Sequence, residues 1–177
     1  MRMTWIAPPV ERTTALADLT AVSERATLEG WLNWHRETLL AKCAGLDGEQ
    51  LARAAVEPSS LTLLGLVRHL AEVERSWFRR SFAGEEIGDV FTGPSDGDEG
   101  LEGVDAARAE EDFAAYVAET SACDAVAAGH GLDETFVSSR GVTLGLRWVY
   151  TVLIQEYARH NGHADLLRER TDGATGD

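Results

Sequence analysis

Residues 149 to 167 read as one helix face that is apolar at both ends and loaded with chemistry in the middle. Val149, Val152, Glu156, His160, His163 and Leu167 follow one another by steps of three and four, and at about 100° per residue they share a sector of roughly 80°. A stripe of this period must be covered by other structure, so the segment has to pack against further helices. An ionised carboxylate on such a face loses its hydration, which costs several kcal/mol unless an opposite charge meets it. Glu156 therefore demands a partner wherever this chain folds.

Three other segments carry the helical period. Thr20 or Ser23 can cap a first helix running to about Ala44, with Leu28, Trp31, Leu32, His35 and Leu39 on one side. The stretch AGLDGEQLARAAVEPSS is turn-rich and holds a short helical piece. A second helix is expected from about Thr62 to Phe82, with Leu63, Leu66, Leu70, Val73 and Trp77 as its stripe. The acidic, glycine-rich segment from Gly84 to Gly103 reads as a long crossover loop anchored by Ile87, Val90 and Phe91. Asp105 can start a third helix ending near Gly129, with Phe113, Tyr116, Val117 and Val126 as a weaker stripe. HGLDETFVSSRG reads as an extended connection, and the fourth helix runs from about Thr143 to Arg168.

Four apolar-faced helices without a convincing alternating strand pattern predict an all-α four-helix bundle. A length of 177 residues fits one domain, 1–177, with an N-terminal arm at 1–19 and a tail at 171–177 that is expected to be disordered.

Charge and cysteine usage exclude several classes of function. Thirty acidic against sixteen basic residues give a net charge of -14, which repels a phosphate backbone, so no nucleic-acid partner is expected. No apolar run approaches the roughly 18 residues that span a bilayer, and MRMTWIAPPVERTT is broken by Pro8-Pro9 before it could act as a signal peptide, so neither membrane association nor export is expected. Cys43 and Cys123 stand alone, without a paired spacing, which fits reduced thiols and a cytoplasmic setting, although a single disulfide between them stays open.

The polar members of the fourth stripe can be satisfied by a divalent metal. Glu156 and His160 lie one turn apart and can place two donors around one ion, and a neutral imidazole is a common metal ligand. A third ligand must come from another helix, where His69 sits beside the second stripe. Competing readings exist: Glu156 could instead pair with Arg68, Arg147 or Arg159, His69 could be a packing residue, and His163 could pack or orient a ligand from behind. His35 and His130 read as a packing or exposed residue on the first helix and a loop residue. Phosphate-loop, His-Glu-x-x-His and zinc-finger patterns are missing. The paired Glu-x-x-His of di-iron bundles is not met either, because His69 to Glu72 runs in reverse order, so a mononuclear site fits better.

LVRHLAEVERSWFRR and LRWVYTVLIQEYARHNGHADLLRER together resemble the DinB superfamily, in its actinobacterial branch related to mycothiol S-transferases, from about Trp31 to Arg170. The resemblance implies a DinB-like four-helix bundle of up-down-down-up connectivity, often a homodimer, with one divalent metal. The family's ligands map onto His69, Glu156 and His160, with Glu156 where many members have histidine. A His-Glu-His set is similar to that of mycothiol-dependent maleylpyruvate isomerase, whose bundle is joined to a C-terminal domain supplying arginine chemistry. The sequence ends at Asp177 without such a domain, so isomerase activity is not expected.

The expected function is that of a metal-dependent thiol S-transferase joining a low-molecular-weight thiol, mycothiol by resemblance, to a small electrophile. Zinc is the expected metal, with nickel, iron or manganese compatible with the same donors. His163 is a candidate for orienting a ligand or relaying a proton. The alternatives are a non-catalytic metal-binding or interaction protein, dimeric through its first and third helices, and a metal-dependent hydrolase.

Overall fold

Helices start in this chain where a side-chain oxygen is available for the unpaired N–H groups of a first turn. The computed structural model describes residues 4–91 and 100–176. Helix α1, Glu24–Cys43, is capped by Ser23, whose hydroxyl accepts from the Ala26 N–H. The short α2, Gly48–Leu51, has a reciprocal capping box between Asp47 and Gln50. Thr62 caps α3, Leu63–Glu74, by accepting from the Gly65 N–H. Asp105 opens a 3-10 turn that leads into α4, Ala109–Ala128. The last helix, α5, Leu146–Asp172, has no such cap and grows directly out of a hairpin strand.

The four long helices form the expected bundle, with α1 lying against α5 and α3 against both α4 and α5. Leu32 and Leu39 of α1, Leu66 and Leu70 of α3, Tyr116 and Cys123 of α4, and Val149 and Leu153 of α5 are all buried in the shared core. Among the described residues, no helix is long and apolar enough to cross a membrane.

One polar network runs through this core and touches every long helix. The Arg36 guanidinium of α1 donates to both carboxylate oxygens of Glu74 on α3, with Nε at 2.8 Å from Oε1. Glu74 is 0% exposed. Its Oε1 also accepts from the Tyr157 hydroxyl of α5, which is 2.8 Å from the Tyr116 hydroxyl of α4. Arg36 reaches Asp124 of α4 as well, at 2.9 Å. A buried carboxylate is tolerable only when it is this fully paired and hydrogen-bonded.

Several sequence expectations are corrected. The segment expected to be a plain extended connection is an antiparallel hairpin, β1 Thr135–Val137 with β2 Thr143–Gly145. Strand β2 takes the residues expected to open the fourth helix, which starts at Leu146 and continues past Arg168 to Asp172, where Gly173 stops it with φ +81. The first tail residues are therefore helical. Val117 leaves the expected inward stripe and is 52% exposed, so α4 is covered on the Phe113 and Tyr116 side only. The last turns of the second helix, Arg75–Phe82, are π-helical. The N-terminal arm is fixed at several points: Trp5 packs edge-on against Phe113, and Ile6 bridges to Asp47. Residues 92–99 of the crossover lie outside the described residues.

Replacing Glu74 with alanine should lower the unfolding free energy by about 3–5 kcal/mol, because Arg36 would keep its burial and lose its principal partner. Asp124→Ala should cost less than about 1 kcal/mol, since that carboxylate is largely solvated. Urea titration of the two variants checks this, and equal losses would contradict the central position given to Glu74.

Candidate metal centre

His69 lies in the second turn of α3, and Glu156 and His160 lie one turn apart on α5. Because α3 packs on α5, the three converge: one ligand atom from each lies within 4.8 Å of the other two. His69 and His160 are each 7% exposed, and their rings meet edge to face with centroids 4.7 Å apart. His160 Nε2 stands 3.6 Å from Glu156 Oε2. Donors at about 2.1 Å from a tetrahedral zinc stand about 3.4 Å apart, so this pair already spans close to one edge of such a site.

Local structure sets where these side chains can go. Tyr157, next to Glu156, is locked into the Glu74 network, which fixes the rotation of α5 about its axis. On α3, the returning end of the crossover presses against the helix at the turn that carries His69. Gly100, at φ +84, sits so close that a Cβ there would be 3.0 Å from the Arg68 carbonyl carbon and 3.2 Å from the His69 nitrogen. Gly65 permits the same close approach a turn earlier, where a Cβ would lie 2.7 Å from the Leu101 carbonyl oxygen. Side chains at either position would push the crossover off α3.

Electrostatics favour a ligand-ready imidazole. Burial, followed by the neighbouring His69, His163 and Arg159, pushes His160 from its ordinary 6.5 down to about 4. It is therefore neutral at pH 7 with a lone pair available. Its Nδ1 lies 3.4 Å from His163 Nδ1, so the nitrogen directed at Glu156 and the one directed at His163 are different atoms. If His160 Nδ1 carries the proton and donates to His163, its Nε2 is left bare toward Glu156.

Two of the three competing partners named for Glu156 are engaged elsewhere. Arg147 pairs with Glu24 and Asp133, and Arg68 donates to the Glu102 carbonyl and faces Asp112. Glu72 is turned away from the triad: its carboxylate accepts from the Phe91 N–H at 2.6 Å and from Arg80 at 3.0 Å, which holds the start of the crossover. His35 packs against Trp31 and Trp34, and His130 pairs with Glu134 at the surface. Cys43 and Cys123 are free and buried. Burial pushes the Cys43 thiol up to about 12 and raises that of Cys123, so neither is a nucleophile at neutral pH.

The triad can thus offer two buried imidazole nitrogens and a partly exposed carboxylate oxygen to one divalent ion. Gly100, Tyr157 and the Arg36–Glu74 pair support it without a signal in the sequence that marks them. The sequence matches the profile of a family described as Mycothiol-S-transferase over residues 27–173. No curated protein matches it.

The His160 shift carries a pH dependence of stability. The unfolded chain takes up a proton on this ring near 6.5, the folded chain only near 4, so the metal-free fold is destabilised as pH falls through that window. The urea midpoint of chelator-treated protein should fall between pH 7 and pH 4.5 more steeply than that of His160→Gln. His35, lowered by burial as well, keeps some of the slope in the variant. Identical slopes would show that His160 titrates normally.

Proposed function

We propose that this chain, which belongs to the Mycothiol-S-transferase family, holds one divalent metal ion through His69, Glu156 and His160 and joins a low-molecular-weight thiol, mycothiol, to a small electrophile. The observation that carries this reading is the convergence of those three donors from two packed helices, within 4.8 Å of one another. Two imidazoles and a carboxylate suit zinc, and nickel, iron or manganese accept the same donors. A bound divalent ion would supply an anchor for the thiol sulfur and favour loss of its proton near neutral pH.

The chain's own residues do the rest. Glu156 brings one negative charge to offset the ion, and its partial exposure, 23% for the side chain, keeps that edge of the recess open to ligand. His160 stays neutral at working pH. His163 holds the Nδ1 side of His160, which fixes the tautomer and ring orientation needed for ligation through Nε2. In the transfer the sulfur lone pair forms the S–C bond while the electrophile releases either a leaving group with its electron pair or the π pair of a conjugated double bond, and the thiol proton ends on that leaving group or on the electrophile.

A cytoplasmic setting fits the two free, buried thiols. A homodimer through α1 and α4 is supported by the apolar groove between the arm and these helices, where Trp5, Leu40, Phe113 and exposed Val117 meet. Binding without turnover and metal-assisted hydrolysis remain the competing functions.

Chelator treatment and His160→Ala should each abolish conjugation of mycothiol to an electrophile panel, with zinc restoring the chelated wild type only. His163→Ala should retain the reaction and weaken metal affinity about 10–100-fold. Unchanged conjugation in metal-free protein would overturn the proposal. Metal binding without thiol consumption would leave the binding-module function.

A further inference from the structure

The face that carries the triad continues along both helices. Moving along α3 from His69, Val73 is one turn on and Trp77 follows in the π-helical segment beyond it, while α5 approaches from the other direction through Trp148, Val152 and Glu156. The helices meet again at the far end, where Trp77 and Trp148 pack edge to face with centroids 4.9 Å apart. Trp148 is 39% exposed and Trp77 is half-buried. Two indoles therefore stand at the open end of a strip whose other end is the His69–His160 contact.

The π-helical winding of Arg75–Phe82 puts Trp77 there. An α-helix turning about 100° per residue would carry a residue eight positions beyond His69 roughly 80° off its face. Hydrogen bonds of the i to i+5 type, such as Ala83 N–H to the Phe78 carbonyl at 3.0 Å, widen the turn to about 80° per residue and bring Trp77 back to within about 30° of His69. π-Helical turns recur at functional sites because they re-aim side chains at a cost in helix stability. Here the rewound segment starts at Arg75, between the ligand turn and Trp77.

We infer that Trp77 and Trp148 form the electrophile subsite and select a flat, electron-poor ring of the quinone type. This rests on the transferase reading of the triad. Indole is electron-rich, so it stacks best on a ring depleted of electrons, and such depletion is also what makes a ring carbon accept a thiol. Val73 and Val152, one turn in from each indole, keep the helix faces between the indoles and the triad apolar. In the step the sulfur lone pair forms the C–S bond, the ring C=C pair moves onto the conjugated carbonyl, and that oxygen takes the proton the thiol lost. Enolisation then gives the thio-substituted hydroquinone. No oxidant or leaving group is required.

The test compares zinc-loaded wild type, Trp148→Ala and Trp148→Phe with mycothiol and two electrophiles, 1,4-naphthoquinone and the aliphatic methyl vinyl ketone. The alanine variant should raise the ratio of KM for naphthoquinone to KM for methyl vinyl ketone about 5–30-fold, and phenylalanine should recover most of it. An unchanged ratio in Trp148→Ala would overturn the assignment. Equilibrium dialysis with 1,8-naphthalimide, a flat electron-poor ring that accepts no thiol, reads the subsite without turnover: wild type should bind it and Trp148→Ala should bind it several-fold more weakly. Naphthalimide binding of that pattern with no conjugation would sink the transferase reading and keep the subsite. Failure of wild type to bind naphthalimide would sink the subsite.

Discussion

The Arg36–Glu74 pair is the interaction on which the arrangement of this bundle depends. A fully buried carboxylate is a large liability, and α1, α4 and α5 each send a donor or a relay toward it: Arg36, Tyr116 and Tyr157. A bundle held by leucines alone can slide or rotate by small steps at little cost, because one apolar contact replaces another. A bidentate ion pair joined to two hydroxyls admits one alignment, since any rotation leaves a charge without its partner. The polar core thus sets the angular position of the helices, while the apolar core supplies the bulk of the burial.

That alignment has a direct use, because Tyr157 and Glu156 are adjacent on α5. Locking one aims the other. Glu156 and His160 are delivered toward α3, where the crossover, held close by Gly65 and Gly100, braces the turn that carries His69. The result is a donor set supported from behind on both helices, with His163 behind His160 and the tyrosine network beside Glu156. A metal site built on packed helices holds its donors more tightly than one built on loops, which matters for an ion whose ligand distances tolerate only small errors.

Much of this was legible in the sequence, for reasons that differ by residue. Glu156 and His160 were legible as a pair because they interrupt an apolar three-to-four stripe, which has few physical solutions, while His69 stood only beside the second stripe and was joined to them by the family resemblance. Capping chemistry left Thr20 or Ser23 as the first helix start, of which Ser23 is the cap, and the starts expected near Thr62 and Asp105 fall within a few residues of α3 and α4. What could not be read depends on contacts distant in sequence. Glu74 looks like any surface glutamate of a helix, and its burial follows only from the packing of α1 and α5 around it. Gly100 is one glycine among many in a glycine-rich segment, and its close approach to α3 is a tertiary fact. The β1–β2 hairpin was hidden because its strands are three residues each, too short for an alternation to register. The π winding before Trp77 left no local mark either, so the Trp77–Trp148 pair emerges only once the helices are placed.

Anomalous diffraction from crystals of untagged protein loaded with one equivalent of zinc addresses the ligand set most directly. A single strong peak at the zinc edge should lie about 2.0–2.2 Å from a nitrogen of His69, Nε2 of His160 and a carboxylate oxygen of Glu156, and it should vanish in His160→Ala crystals. A peak elsewhere in the molecule, or none in the wild type, would contradict a metal centre at this triad.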